Sequence, residues 1–138
     1  MFIGEYINGK RNGKGKEYSE YDNELIFEGE YLNDKRWNGK GKDFFNNYLK
    51  YEGEYLNGKR NGKGKEYNED GNLLFEGEFK NGKWNGKGKE FYKNGKIKYE
   101  GEFLDGQWNG KGKEYYQNGK LKYDGKFLNG SKINNKKK

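Results

Sequence analysis

The sequence contains no cysteine, histidine or proline, and threonine, alanine and valine are also missing. Disulfide bonds, thiol or imidazole metal ligands and histidine bases are therefore excluded. Apart from tyrosine, the only hydroxyl side chains are those of Ser19 and Ser131, so a nucleophile activated by a base has no obvious source. We therefore expect no catalytic residues, no metal site and no bound cofactor, and we predict that the chain is not an enzyme.

Apolar residues are scarce as well. Only 29% of the 138 residues are hydrophobic, 37% are charged and the mean hydropathy is −1.54. No apolar run approaches the length of a signal peptide or a transmembrane span. We accordingly expect a cytoplasmic protein that associates with a membrane or the cytoskeleton only peripherally.

Aromatic residues are plentiful instead. Thirteen Tyr, nine Phe and three Trp make up 18% of the chain. A chain this polar would ordinarily be disordered because it buries little apolar surface. Each aromatic ring, however, contributes a large buried area. The composition therefore predicts a folded chain with an aromatic core.

A repeat of 24 or 25 residues organises the whole chain. Glycines that precede Glu or Lys recur with a spacing of 25 and then of 24, at Gly4, Gly29, Gly53, Gly77, Gly101 and Gly125. Such a period is the mark of a repeat architecture. We divide the array into units 2–26, 27–50, 51–74, 75–98 and 99–122, a partial unit 123–130, and a basic polar tail 131–138 that we do not expect to form a strand.

Alternation of apolar and polar residues predicts strands. Between Lys96 and Leu104 the residues Ile97, Tyr99, Gly101 and Phe103 fall on one face and charged residues on the other. Asn94-Gly95 favours a two-residue type I′ hairpin turn. The resulting register pairs Tyr92 with Ile97, Lys89 with Glu100, Gly88 with Gly101 and Lys87 with Glu102.

Facing glycines in this register would let a neighbouring ring approach the backbone. The connection from Leu104 to Gly110 is predicted to be a wider loop. The second unit carries an extra residue between Asn33 and Gly39, with Asp34 where the other units have Gly, so we expect a bulge or an altered turn there. The fold class is all-β: an elongated, curved, single-sheet antiparallel meander of repeated β-hairpins, with about ten strands and no helix.

The third unit shows the motif most clearly. It reads Tyr51-Glu-Gly53-Glu-Tyr55, followed by Gly58 and by Gly62-Lys-Gly64. This pattern resembles the MORN (membrane occupation and recognition nexus) repeat, and the resemblance extends over nearly the whole chain. It implies a binding or scaffolding role, because in relatives with such repeats the chemistry resides in an appended domain.

Three functions agree with this resemblance. The first is a non-catalytic scaffold for protein–protein interaction at a membrane or cytoskeletal surface. The second is peripheral binding of acidic phospholipids through the basic C-terminal half. The third is a regulatory repeat region of a phosphatidylinositol phosphate kinase or lysine methyltransferase whose catalytic domain is not in this chain. Exposed end strands also favour self-association. Nucleic acid is disfavoured because the rings are needed for packing.

Two sets of side chains are candidates for these roles. The glutamates of each Glu-Gly-Glu motif are predicted to be ordinary surface charges, and the Gly-rich turns lack the spacing of a phosphate-binding loop. The candidate partner groove consists of Tyr51, Tyr55, Phe75, Phe79, Tyr99, Phe103, Trp84 and Trp108. The candidate sites for anionic lipid are Lys80, Lys83, Lys87, Lys89, Lys93, Lys96, Lys98, Lys132, Lys136, Lys137 and Lys138.

Overall fold

The computed structural model describes residues 1–133, and it is a single open sheet of twelve strands in which every strand pairs with its neighbours in the chain. All pairs that the registers define are antiparallel. The all-β meander is thus confirmed, with twelve strands rather than about ten. They are β1 Phe2–Ile7, β2 Lys10–Tyr18, β3 Leu25–Leu32, β4 Lys35–Phe45, β5 Tyr48–Leu56, β6 Lys59–Tyr67, β7 Leu73–Lys80, β8 Lys83–Phe91, β9 Ile97–Leu104, β10 Gln107–Tyr115, β11 Leu121–Leu128 and β12 Ser131–Lys132.

Each unit folds as a hairpin closed by a two-residue turn, and this turn is where a wider loop was expected. Asp105 and Gly106 have φ values of 49° and 88°, and Leu104 pairs directly with Gln107. Positive φ at both central residues defines the type I′ turn, which suits the twist of paired strands. The prediction of a wide loop from Leu104 to Gly110 was therefore wrong. The extra residues that suggested a loop form a bulge inside β10.

The turn at Asn94-Gly95 also differs from the prediction. Gly95 has a φ of 87° and donates its N–H to the Tyr92 carbonyl (3.0 Å), while the Tyr92 N–H bonds to the Lys96 carbonyl (2.9 Å). Positive φ is confined to the glycine, so this is a three-residue loop with a glycine bulge. Phe91, rather than Tyr92, pairs with Ile97, and the other three predicted pairs are confirmed.

Glycines face one another across the sheet and admit aromatic rings. Gly64, for example, faces Gly53 on one side and Gly77 on the other. A Cβ atom at Gly64 would lie 2.6 Å from the Tyr51 ring, closer than any real side chain tolerates. The ring can lie flat over the backbone only because this residue has no side chain. The expected close approach of rings to the glycines is confirmed.

The rings form one continuous row on one face of the sheet, which we call the ring row. Neighbouring rings meet edge to face, with centroids 4.7–5.7 Å apart. The first ring of each unit touches the second ring of its own unit and of the next one. The row runs through Tyr6, Phe2, Tyr31, Phe27, Tyr55, Tyr51, Phe79, Phe75, Phe103, Tyr99, Phe127 and Tyr123.

The second unit has an altered register, as expected. Gly29 pairs with Gly39, and Gly41 pairs with Phe27 on one side and Gly53 on the other. The glycine column therefore shifts by two residues within β4. Asp34 takes the place of the turn glycine with a φ of 70°. The extra residue is accommodated without lengthening the turn.

The expectation that the C-terminal tail forms no strand needs correction. Ser131 and Lys132 form the short strand β12, which pairs with Leu128 and Phe127. These two residues are polar, but they continue the hairpin that starts at the Asn129-Gly130 turn. Residues 134–138 of the predicted tail, among them Lys136, Lys137 and Lys138, lie outside the described residues. Across residues 1–133 the structure contains no helix long and apolar enough to cross a bilayer.

Candidate binding surfaces

A flat side chain covers the first ring of each full unit, at what we call the cap position. It is the second residue after the tight turn. Arg60 lies over the Tyr51 ring with its guanidinium carbon 4.6 Å from the centroid. In the next two units Trp84 stacks on Phe75 at 4.4 Å and Trp108 stacks on Tyr99 at 4.6 Å, both with planes 5° apart. Cation–π contact and ring stacking thus serve the same position.

The cap side chain also links one unit to the one before it. Trp84 donates its indole N–H to Glu66 Oε1 at 2.9 Å, and Trp108 donates to Glu90 Oε1 at 2.8 Å. Arg36 reaches Glu17 in the same way at 3.2 Å. Each of these glutamates belongs to the preceding unit. The indole N–H groups and the Arg36 guanidinium are therefore engaged within the fold.

The acceptor glutamate in the first unit is strongly engaged. Burial raises the pKa of Glu17, but the Arg36 guanidinium, the Tyr31 hydroxyl and Arg11 together outweigh burial and lower the pKa. Burial raises the pKa of Tyr99 to about 12. A 2.6 Å hydrogen bond to Glu100, together with burial, raises the pKa of Tyr115 to about 12. These shifts follow from packing, and none creates a group poised for acid–base catalysis near neutral pH.

The candidate partner groove of aromatic side chains is mostly interior. Tyr51, Phe75, Phe79, Tyr99 and Phe103 are 0–3% exposed. Tyr55, Trp84 and Trp108 are half-buried and pack against that cluster. The structure brings all eight together, but as a closed core and not as an open groove. The rings are inaccessible to a partner because the glycines let them lie directly on the backbone, and because the cap residues cover their outer faces.

Trp37 behaves differently from the other two tryptophans. Arg36 occupies the cap position in its unit, over Phe27 at 4.8 Å. Trp37 is the bulged residue next to it and lies against the following tight turn, where a side chain at Gly58 would come within 3.3 Å of its ring. The sequence alone does not separate Arg36 from Trp37, because both fit the repeat once an extra residue is present.

An open groove lies on the opposite face of the sheet. Strand residues alternate between faces, so Glu52 and Glu54 point away from the ring row. The groove runs from β4 to β11, with a volume of about 1180 Å³. We call this surface the charged groove. Its lining consists of Lys40, Lys63, Lys65, Lys87, Lys89, Lys111, Lys113, Glu52, Glu54, Glu76, Glu78, Glu100, Glu102, Asp124 and six glycines between them, Gly53, Gly64, Gly77, Gly88, Gly101 and Gly112.

Charges of opposite sign face each other across most of this groove. Lys87 stands opposite Glu102 and Lys89 opposite Glu100. The last unit breaks the pattern, because Lys111 stands opposite Lys126. Within residues 1–133, no group of three or more carboxylates is placed to hold a metal ion. The alternating charges can attract polar peptide groups of either sign.

The lysines proposed for anionic lipid do not form one patch. Lys80 and Lys83 flank a tight turn, whereas Lys93 and Lys96 belong to the loop at the other end of β8. Lys87 and Lys89 line the charged groove between them. The remaining two are engaged locally: Lys98 pairs with Glu90 at 3.8 Å, and Lys132 lies over the Tyr123 ring at 5.3 Å.

The segments of the chain that match a known family begin where the units begin. A family model for the MORN repeat matches residues 2–20, 51–73, 75–97 and 99–120, which together make up more than half of the chain. The second unit, whose register is altered, lies outside the matched segments. No curated protein sequence matches the chain at a significant level.

Proposed function

The chain belongs to the MORN repeat family, and from this premise we propose that it is a non-catalytic scaffold that binds a protein partner in the charged groove. The proposal rests on the observation that the two faces of the sheet have different roles. The ring row holds the units together on one face, and the charged groove on the other contributes little to the core.

The chemistry of the groove supports a peptide ligand. Its floor alternates ammonium and carboxylate groups with glycines, so a bound segment can reach both charges and backbone. Charged surfaces of this kind add specificity and raise association rates. A partner would therefore contain charges of both signs, complementary in order to the lysines and glutamates of the groove.

Peptide display against the immobilised full chain tests the scaffold. We expect enriched peptides whose affinity falls by about tenfold in the groove double variant Lys65→Ser/Lys89→Ser, since two charge-assisted contacts are lost. The matched control is Lys93→Ser/Lys120→Ser, which removes two exposed charges outside the groove. The proposal fails if no peptide is enriched, or if both double variants reduce affinity equally.

A second candidate is peripheral binding of acidic phospholipid, in the region that we predicted from the sequence. Lys93, Lys96 and Lys120 are exposed on the loops of the fourth and fifth units. Each basic group near an anionic leaflet contributes about 1 kcal/mol. Co-sedimentation with phosphatidylserine vesicles should be lost when the three become Ser and at high salt. Sedimentation that is unchanged by both treatments would rule out this mechanism.

A further inference from the structure

A second row of side chains recurs along the edge formed by the tight turns. The residue that precedes each turn is aliphatic in every unit except the fourth, where it is Lys80. Ile7, Leu32 and Leu56 are 57%, 39% and 49% exposed. Each follows a residue of the ring row directly, so its side chain points to the opposite face, the one that holds the charged groove.

A lysine stands directly across the turn from each of these three residues. The pairs are Ile7 with Lys10, Leu32 with Lys35 and Leu56 with Lys59. In the described part of the chain none of the three lysines forms an ion pair. We call these six residues the turn rim.

The turn rim has little acidic charge of its own. Asp34 is the single carboxylate in the tight turns of these three units, and it accepts a hydrogen bond from the Arg11 N–H at 2.8 Å. The surface therefore offers aliphatic side chains beside lysines that form no ion pair among the described residues. Its complement is a ligand that is both acidic and apolar.

Folding does not account for the aliphatic residues at these positions. They lie on the face away from the ring row and are half exposed, and the fourth unit forms the same hairpin with Lys80 there. A Leu or Ile in such a place leaves apolar area in water that a partner can bury. Burial of that area would stabilise a complex by roughly 25 cal/mol per Å².

The spacing between equivalent positions of the turn rim favours one conformation of the ligand. Adjacent strands lie about 4.8 Å apart, so equivalent positions in consecutive units, two strands apart, are separated by about 9.6 Å. A polyproline II segment returns to the same side every third residue, after about 9.3 Å. An α-helix does so every seventh residue, after about 10.5 Å, and drifts out of step sooner.

We propose that the turn rim of the first three units binds an acidic segment of a protein in the polyproline II conformation, with an apolar side chain at every third residue. The turn rim is a surface distinct from the charged groove, so each proposal can fail without the other.

The direct test uses a fluorescein-labelled peptide with four repeats of Pro-Glu-Leu and the full chain, followed by fluorescence anisotropy. We expect binding that weakens with salt, because the lysines contribute. Leu32→Ser/Leu56→Ser and Lys35→Glu/Lys59→Glu should each weaken it by about tenfold or more. Leu104→Ser/Leu128→Ser alters the same position where no lysine stands opposite, and Lys65→Ser/Lys89→Ser alters the charged groove. Both controls should change affinity less than about twofold.

Two further probes decide the chemistry of the ligand. A peptide of Pro-Lys-Leu repeats reverses the charge, and a peptide with the Pro-Glu-Leu composition but irregular leucine spacing removes the period. Neither should bind measurably. The proposal is overturned if either binds as well as the regular acidic peptide, if the acidic peptide does not bind, or if the control variants lose as much affinity as the turn-rim variants. Binding of phosphatidylserine vesicles through the turn rim, without binding of the peptide, would identify a membrane surface instead. Circular dichroism of every variant confirms the fold.

Discussion

Trp84 lies flat on Phe75, with ring centroids 4.4 Å apart and planes 5° apart, while its indole N–H reaches Glu66 of the preceding unit. One side chain therefore covers a ring of its own unit and ties that unit to its neighbour. Stability in a repeat array depends on such contacts between adjacent units. The cap position is the most direct place to test this idea.

Replacing Trp84 by Ala should lower the free energy of unfolding by about 3 kcal/mol, because the Phe75 ring is uncovered and the bond to Glu66 is lost. Trp84→Arg should cost less than about 1 kcal/mol, since Arg occupies the cap position in the first three units. Urea unfolding followed by circular dichroism measures both. Equal losses in the two variants would show that the cap position does not accept a flat cation in place of an indole.

Tyr31 and Tyr55 occupy equivalent places in the ring row, but their hydroxyl groups have different surroundings. The Tyr31 hydroxyl donates to Glu17 at 2.9 Å. The Tyr55 hydroxyl is buried and forms no well-aligned hydrogen bond among the described residues, although the Arg36 side chain lies beside it. Phe79, Phe103 and Phe127 hold the equivalent place in later units.

Tyr55→Phe should therefore leave the free energy of unfolding unchanged or raise it by up to about 1 kcal/mol, because it removes an unsatisfied buried polar group. Tyr31→Phe should lower it by about 1.5 kcal/mol, since a bond to a charged acceptor is lost. Thermal and urea unfolding of the two variants give the comparison. A Tyr55→Phe variant that is clearly less stable than the native chain would indicate a partner for this hydroxyl.

The repeat period and the positions of the Asn-Gly dipeptides were sufficient to predict the sheet, but not the turns. Asn-Gly dipeptides occur at both kinds of connection, so Asn94-Gly95 and Asn57-Gly58 look alike in sequence. Only in the second pair do both residues take positive φ. The two turns differ because a bulge follows the tight turn. The residues of this bulge would suggest a longer loop if only the sequence were considered. Its geometry depends on pairing with the neighbouring strand.

The role of the rings was harder to predict than their presence. Aromatic side chains on a one-layer sheet suggested an exposed groove, because two faces cannot both be covered by neighbours. Tyr51 is nevertheless 0% exposed. Its burial needs three things at once: a glycine beneath the ring, a ring of the next unit at its edge and Arg60 above it. The signal was present in the recurrence of Arg or Trp two residues after each tight turn. This recurrence can be interpreted only when it is known which residues face each other across the strands.

Acid should act on the interface between the first two units through Glu17. Its pKa in the folded chain is lowered, because Arg36, Tyr31 and Arg11 together outweigh burial. The unfolded chain then binds more protons at acidic pH, so this contribution to stability is fully present above the ordinary glutamate pKa of about 4.3 and is lost as the pH falls through the folded value. We expect the free energy of unfolding of the native chain to fall more steeply below about pH 4.3 than that of Glu17→Gln. Urea unfolding between pH 6 and pH 3 measures this.

The control for the pH series is Glu20→Gln, in the exposed loop that follows β2. This variant should keep the slope of the native chain. If Glu17→Gln and the native chain lose stability in parallel as the pH falls, the carboxylate of Glu17 does not carry the acid dependence.

Deleting a whole unit should be tolerated, because the contacts between units repeat. Removal of residues 75–98 brings Trp108 into reach of Glu66, the acceptor that Trp84 uses, and places Phe103 against Tyr51 where Phe79 now lies. The shortened chain should unfold in one cooperative transition at a lower temperature, since one unit of buried surface is lost. Deletion of twelve residues, 87–98, is the matched control. It removes the second half of β8 and the start of β9 and joins what remains of them into one strand. The direction of every later strand is then reversed, so Trp108 cannot reach its acceptor. This control should lose cooperative unfolding altogether, as followed by circular dichroism during heating. Two deletions of similar stability would mean that the units do not interact through the register seen in the sheet.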